Sequence, residues 1–161
     1  MNPPANKEIA LTPAGQAKLE DELKYCETTR RREVGERIKE AKEFGDISEN
    51  SEYDDAKNEQ AWVESRILEI TQILARATII DAPKANPTKV TLGSKVELQP
   101  ASGEKRIYQV VGSAEADPSA DKISNESPVG SAILGHKKGD TVKVTTPSGK
   151  VIEYTILAIS R

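Results

Sequence analysis

The chain has 161 residues, with 23 Lys/Arg against 26 Asp/Glu, and only one cysteine and one histidine. Cys26 alone cannot close an internal disulfide, and together with His136 it leaves too few soft ligands for zinc, so structural zinc and disulfide chemistry are excluded. The net charge of −3 argues against a protein that coats nucleic acid by neutralising phosphates. No run approaches the ~20 apolar residues of a membrane span, and the start MNPPANKEIA lacks the segments of a signal peptide, so a cytoplasmic protein without a membrane partner is expected.

Thr12 and Pro13 read as an N-cap followed by proline at the first helical position, where its missing N–H costs nothing. From there Leu19, Leu23, Cys26, Val34, Ile38 and Ala41 follow helical spacing, with Arg30 standing where an apolar residue is expected. The spacing predicts a helix reaching Phe44, broken by Gly45 and followed by a turn over Gly45–Asn50 that is rich in turn and cap residues. A second helix is predicted from Tyr53, where Tyr53, Ala56, Gln60, Val63, Ile67, Ile70, Leu74 and Ala77 alternate steps of three and four as in a coiled-coil seam. A turn of about six residues forces the two helices antiparallel, giving an arm of roughly 40 to 50 Å. Residues 1–80 are thus expected to form an antiparallel coiled-coil hairpin with an acidic tip at 45–55.

Ala82–Pro87 carries two prolines and no apolar periodicity, so 81–87 reads as a short stiff linker. Beyond it, β-type runs at 95–99, 106–111, 141–146 and 151–159, the last two joined by Pro147-Ser148-Gly149-Lys150, predict a hairpin within a sheet. Ser127-Pro128 followed by Val129–Leu134 and Gly135 reads as a short capped helix. The fold class is therefore α+β, with residues 88–161 as a small second domain.

Asp46 and Glu49 stand three apart across a turn into a helix, a spacing that lets two carboxylates share one divalent cation. Mg²⁺ takes few protein carboxylates, so the pair makes only a weak site alone; capping the second helix explains the same spacing. Asp46 to Asp55 holds five acidic residues and no basic one, a concentration that implies a charged target. Arg30-Arg31-Arg32, diluted by Glu27, Glu33 and Glu36, reads as a salt-bridged solvated face rather than a nucleic-acid patch. Tyr53 and Trp62 read as seam or flank packing, and His136 as a surface residue without a neighbouring acid.

The stretch Gly45-Asp46-Ile47-Ser48-Glu49-Asn50-Ser51-Glu52-Tyr53 strongly resembles the tip signature of the Gre factors, bacterial transcript cleavage and elongation factors. Ile38–Phe44, Ile123–Gly130 and Gly139–Val142 resemble the same family, so the likeness runs from about Leu11 to Ile159. Ser48 departs from it, at a position often lysine in relatives. The sparse clustered Lys/Arg on the arm is similar to the GreA type rather than the GreB type.

The resemblance implies a monomeric, non-enzymatic cofactor protein. Its coiled coil would enter the secondary channel of RNA polymerase, and its FKBP-like second domain would dock on the largest subunit's coiled coil. By the same likeness Asp46 and Glu49 would hold a Mg²⁺ shared with the polymerase active site, so that the polymerase hydrolyses the 3′ RNA of backtracked complexes. Lys42, Lys57 and Tyr53 would lie near the RNA 3′ end, although both lysines also suit i,i+4 pairs on a solvated face. Ser127, Pro128 and Gly130 would belong to the docking surface. A non-cleaving relative that enters the same channel and inhibits polymerase is the alternative, and a scaffold gripping unfolded chains is a third reading that the charged tip disfavours. Prolyl isomerase activity does not follow from fold analogy, and Tyr108 and Tyr154 are the only aromatics after residue 81.

Overall fold

The computed structural model describes residues 8–45, 50–81 and 85–161. It divides into two compact units, one of Ala17–Arg76 and one that gathers the chain up to Gln16 with Ala77–Arg161. Among the described residues no helix is long and apolar enough to cross a membrane.

In the first unit, α1 (Pro13–Tyr25) passes through a π-helical turn (Cys26–Arg30) into α2 (Arg31–Glu43), and α3 (Ser51–Ala75) returns against them. The π-turn explains the stripe's irregularity. Cys26 and Val34 are both buried and eight residues apart, one more than a heptad; the wider turn absorbs the extra residue and leaves Arg30 beside the seam. Cys26, Val34, Ile38, Ala56, Val63 and Ile67 form the core, with Leu23 and Tyr53 packed against it. Burial among these side chains raises the Cys26 thiol pKa, with the Glu22 charge adding to the effect. Ala77, read from the sequence as the end of the seam, instead lies in a strand. Trp62 is 58% exposed, so it stands out on the surface rather than packing the flank.

The second unit opens with β1 (Ile9–Leu11), which pairs parallel with β2 (Ala77–Ile79) in register Ile9↔Ala77. Residues 8–16 and 77–80, assigned from the sequence to the hairpin, thus belong with the sheet-bearing unit. Thr12 accepts from the N–H groups of Gln16 and Gly15, on its carbonyl at 2.9 Å and its hydroxyl at 3.1 Å, as an N-cap should. The Glu115 carboxylate adds a second anchor, accepting from the Thr12 N–H at 2.8 Å and its hydroxyl at 2.5 Å.

The main sheet comprises β3 (Lys95–Pro100), β4 (Arg106–Val111), β5 (Lys122–Ser124), β6 (Thr141–Thr145) and β7 (Val151–Ser160), in order β5-β4-β3-β7-β6. All pairings are antiparallel except β4–β5. Alternating residues such as Val96/Leu98 and Val142/Val144 point inward, as the period of two requires, and meet Ile133 of α4 (Pro128–Ile133). The result is an α+β architecture.

Candidate functional site

Asn50 links the end of α2 to the start of α3. Its Oδ1 accepts from the Tyr53 N–H at 3.2 Å, capping α3, while its Nδ2 donates at 2.7 Å to the Ala41 carbonyl, one of the last carbonyls of α2. A single amide thus satisfies orphan groups of two helix ends and ties them together. Across the turn Gly45 has φ +122°, a conformation that excludes a side chain at low cost. Asp46 and Glu49 lie outside the described residues. Phe44, at the end of α2, is 90% exposed.

Behind the tip, arginines on one arm meet carboxylates on the other. Arg37 donates to the Glu52 carboxylate from Nη2 at 2.7 Å and Nε at 3.1 Å, so one of the five tip acids is already neutralised within the hairpin. Arg37 and Arg30 both pair with Glu59, and Arg30 also reaches Glu33 at 3.1 Å. Arg31 grips Glu64 through two bonds of 2.8 Å, which pulls the Glu64 pKa down. Arg66 holds Glu22 at 2.6 and 2.9 Å, which raises its own pKa. Arg30 and Arg31 thus belong to a salt-bridged face, as read from the sequence, but their partners lie mainly on α3 rather than among the neighbouring glutamates. Finding those partners required the register between the helices.

Lys42 is exposed in the last turn of α2. Lys57 donates to Gln60 Oε1 at 2.8 Å on the exposed face of α3. Tyr53, half-buried, packs on the seam. Glu52 and Asp54 occupy the first turn of α3, where negative charge suits the helix dipole.

In the sheet-bearing unit, the Ser127 hydroxyl donates to the Ser124 carbonyl at 2.7 Å and accepts from the Gly130 N–H at 3.0 Å, while Pro128 opens α4. A Cβ on the buried Gly130 would lie 2.0 Å from the Ser124 carbonyl oxygen, so this position requires glycine. These residues make a tight joint between β5 and α4 that exposes Pro128. Tyr108 and Tyr154 come together with Leu98, Pro100, Glu104 and Arg106 in a cleft of about 340 Å³. His136 does have an acidic neighbour, contrary to the sequence reading. Its Nδ1 lies 3.2 Å from Asp140 Oδ2, both exposed, and Asp140 also accepts from the Lys137 N–H at 2.8 Å. One helical turn of separation without a helix hid that contact.

Among the described residues no group of three His, Cys, Asp or Glu is arranged to hold a metal. Family models describe the two parts of the chain as "Transcription elongation factor, N-terminal" over residues 9–79 and "Transcription elongation factor, GreA/GreB, C-term" over 84–161. The chain is 53% identical over 157 residues to transcription elongation factor GreA of Acetivibrio thermocellus, covering 97% of this chain and 98% of that one. It is likewise 53% identical to GreA of Alkaliphilus oremlandii, over 98% and 99% of the two chains. Among solved structures, GreA factor homolog 1 of Thermus thermophilus is similar at 37% identity, with a TM-score of 0.44 and coverage of 95% and 99%. Over both of its parts, the chain belongs to the GreA/GreB family of transcription elongation factors and is of the GreA type.

Proposed function

We propose that this protein inserts its hairpin into the secondary channel of bacterial RNA polymerase and stimulates hydrolysis of the 3′ RNA in backtracked complexes by the polymerase's own active site. What supports this reading is identity over nearly the whole chain to proteins named transcription elongation factor GreA, with the Gly45–Tyr53 signature at the turn between α2 and α3. In this reading the protein is no enzyme by itself, and works as a monomer.

Asp46 and Glu49 would hold Mg²⁺ jointly with the polymerase. Carboxylate oxygens are the donors this hard cation takes, and two are too few to retain it without further ligands. Once bound, such an ion supplies charge stabilisation and an activated water. Asn50 serves the tip by tying together the helix ends on either side of the segment that holds these carboxylates. Lys42 and Lys57, one on each side of the turn, offer ammonium groups to RNA phosphates, with Tyr53 beneath them. Ser127, Pro128 and Gly130 shape the surface that docks on the largest subunit's coiled coil, Pro128 by contact and Gly130 by allowing the joint to close.

The test is a stalled, backtracked polymerase complex in Mg²⁺, with shortening of the 3′ RNA followed over time. Wild-type protein should accelerate shortening, and Asp46→Ala/Glu49→Ala should remove that acceleration, by about 10²-fold or more, with polymerase binding retained. Cleavage unaffected by the double substitution would refute the role of the carboxylates. Slowed elongation without shortening would instead make the protein a channel inhibitor.

A further inference from the structure

Lys89 and Lys137 form an isolated antiparallel β-bridge, which places two ammonium-bearing side chains directly opposite one another. Beside the bridge, the Val90 N–H donates to the His136 carbonyl and the Gly135 N–H to the Val90 carbonyl, both at 2.9 Å. Directly opposed side chains share a face and stand about 5 Å apart at Cβ, so like charges there destabilise the fold. Lys138 follows at the corner of the 137–140 turn, closed by the Asp140 N–H on the Lys137 carbonyl at 3.1 Å. All three lysines are exposed. Asp140 offsets part of this charge, but its Oδ2 already takes the Lys137 N–H and faces the His136 ring, and these contacts with the Lys137 charge lower its pKa.

We propose that Lys89, Lys137 and Lys138 form a contact surface for a carboxylate-rich patch on the protein partner, adding an electrostatic contribution to the docking proposed above. The inference rests on that docking reading. Two observations favour a protein surface over nucleic acid. Three ammonium groups fall short of the roughly six to ten phosphate contacts by which nucleic-acid binders gain affinity, and the chain as a whole carries a net charge of −3. The patch also follows α4 closely in the chain: the six-residue helix begins at Pro128 and spans about 9 Å before the chain enters Gly135–Lys138. A small cluster of exposed charge acts mainly on the rate of encounter, because complementary fields steer association while contributing little to the dissociation rate.

The test uses the full chain and purified bacterial core RNA polymerase, with association and dissociation rates measured from about 50 to 300 mM salt. Lys89→Gln/Lys137→Gln/Lys138→Gln should lower the association rate about three- to tenfold at the lowest salt and flatten its salt dependence. Lys150→Gln, which removes one charge at the β6–β7 turn, is the control and should leave both unchanged. Lys89→Gln alone should also raise Tm by about 1–2 °C, because it relieves the opposed pair; a lysine kept for stability would lower it. Variants that associate like wild type at every salt concentration overturn the inference. So does an equal loss of affinity for free single-stranded RNA, which would make the patch a nucleic-acid contact. Wild-type protein that does not bind polymerase overturns the docking reading and this inference together, whereas binding without any effect of the lysines overturns the inference alone.

Discussion

The hairpin and the sheet-bearing unit solve the problem of burial differently. Two antiparallel helices share only one narrow seam, filled by residues as small as Ala56, and its borders are closed by arginine–carboxylate pairs from helix to helix. The five-stranded sheet instead packs a broad inner face of Val96, Leu98, Val110, Val142, Val144 and Ile156 around Ile133. Dispersion and apolar burial scale with that area, so the sheet unit should depend on packing. The hairpin should respond more to capping, charge and pH, and to substitutions at its tip.

The largest expected effect tests the sheet side. Ile156→Ala, at a fully buried position, should cost about 2–5 kcal/mol, read as a lowered denaturation midpoint. Amide exchange should show the loss in β3, β6 and β7, with α2 and α3 protected as before. Equal loss of protection in both units would mean that they unfold as one.

A smaller effect is expected at the tip. Asn50→Ala removes the cap of α3 and the bond to the Ala41 carbonyl together, for about 1–2 kcal/mol. Faster amide exchange at Tyr53 and Asp54 would be its signature, and Asn50→Asp should restore the cap but not the bond to Ala41. If Asn50→Ala changed exchange in the sheet and not at the tip, the clamp would be wrong.

The smallest effect is the pH response of an exposed pair. Arg31 holds the Glu64 carboxyl below its ordinary pKa, so the pair contributes stability above the unfolded-state value and loses it as pH falls through the folded one. Carbon-13 titration should place Glu64 below the usual glutamate range, and Arg31→Gln should return it there. Asp140, lowered by its own contacts in the other unit, should not move.

Much of this fold was legible because its signals act within a few residues. Thr12-Pro13 and Ser127-Pro128 cap helices three residues ahead of them, and the seam follows from helical periodicity. The break at Arg30 was visible in the stripe, but its cause, a π-turn, was not, since periodicity registers a phase shift without saying how the backbone absorbs it. The His136–Asp140 contact was missed because a spacing of four suggests proximity only within a helix.

By itself the sequence determined two helices on either side of an acidic stretch, the β-hairpin of the second unit and the Ser127/Pro128 cap, all set by propensity, capping and periodicity over short spans. Only the tertiary structure decided that Ile9 pairs with Ala77, that Glu115 anchors Thr12, that Arg37 neutralises Glu52 and that Lys89 faces Lys137. Each of these contacts joins residues far apart in the chain. Its formation depends on loop closure and on the register of whole elements against one another, quantities that no local pattern encodes.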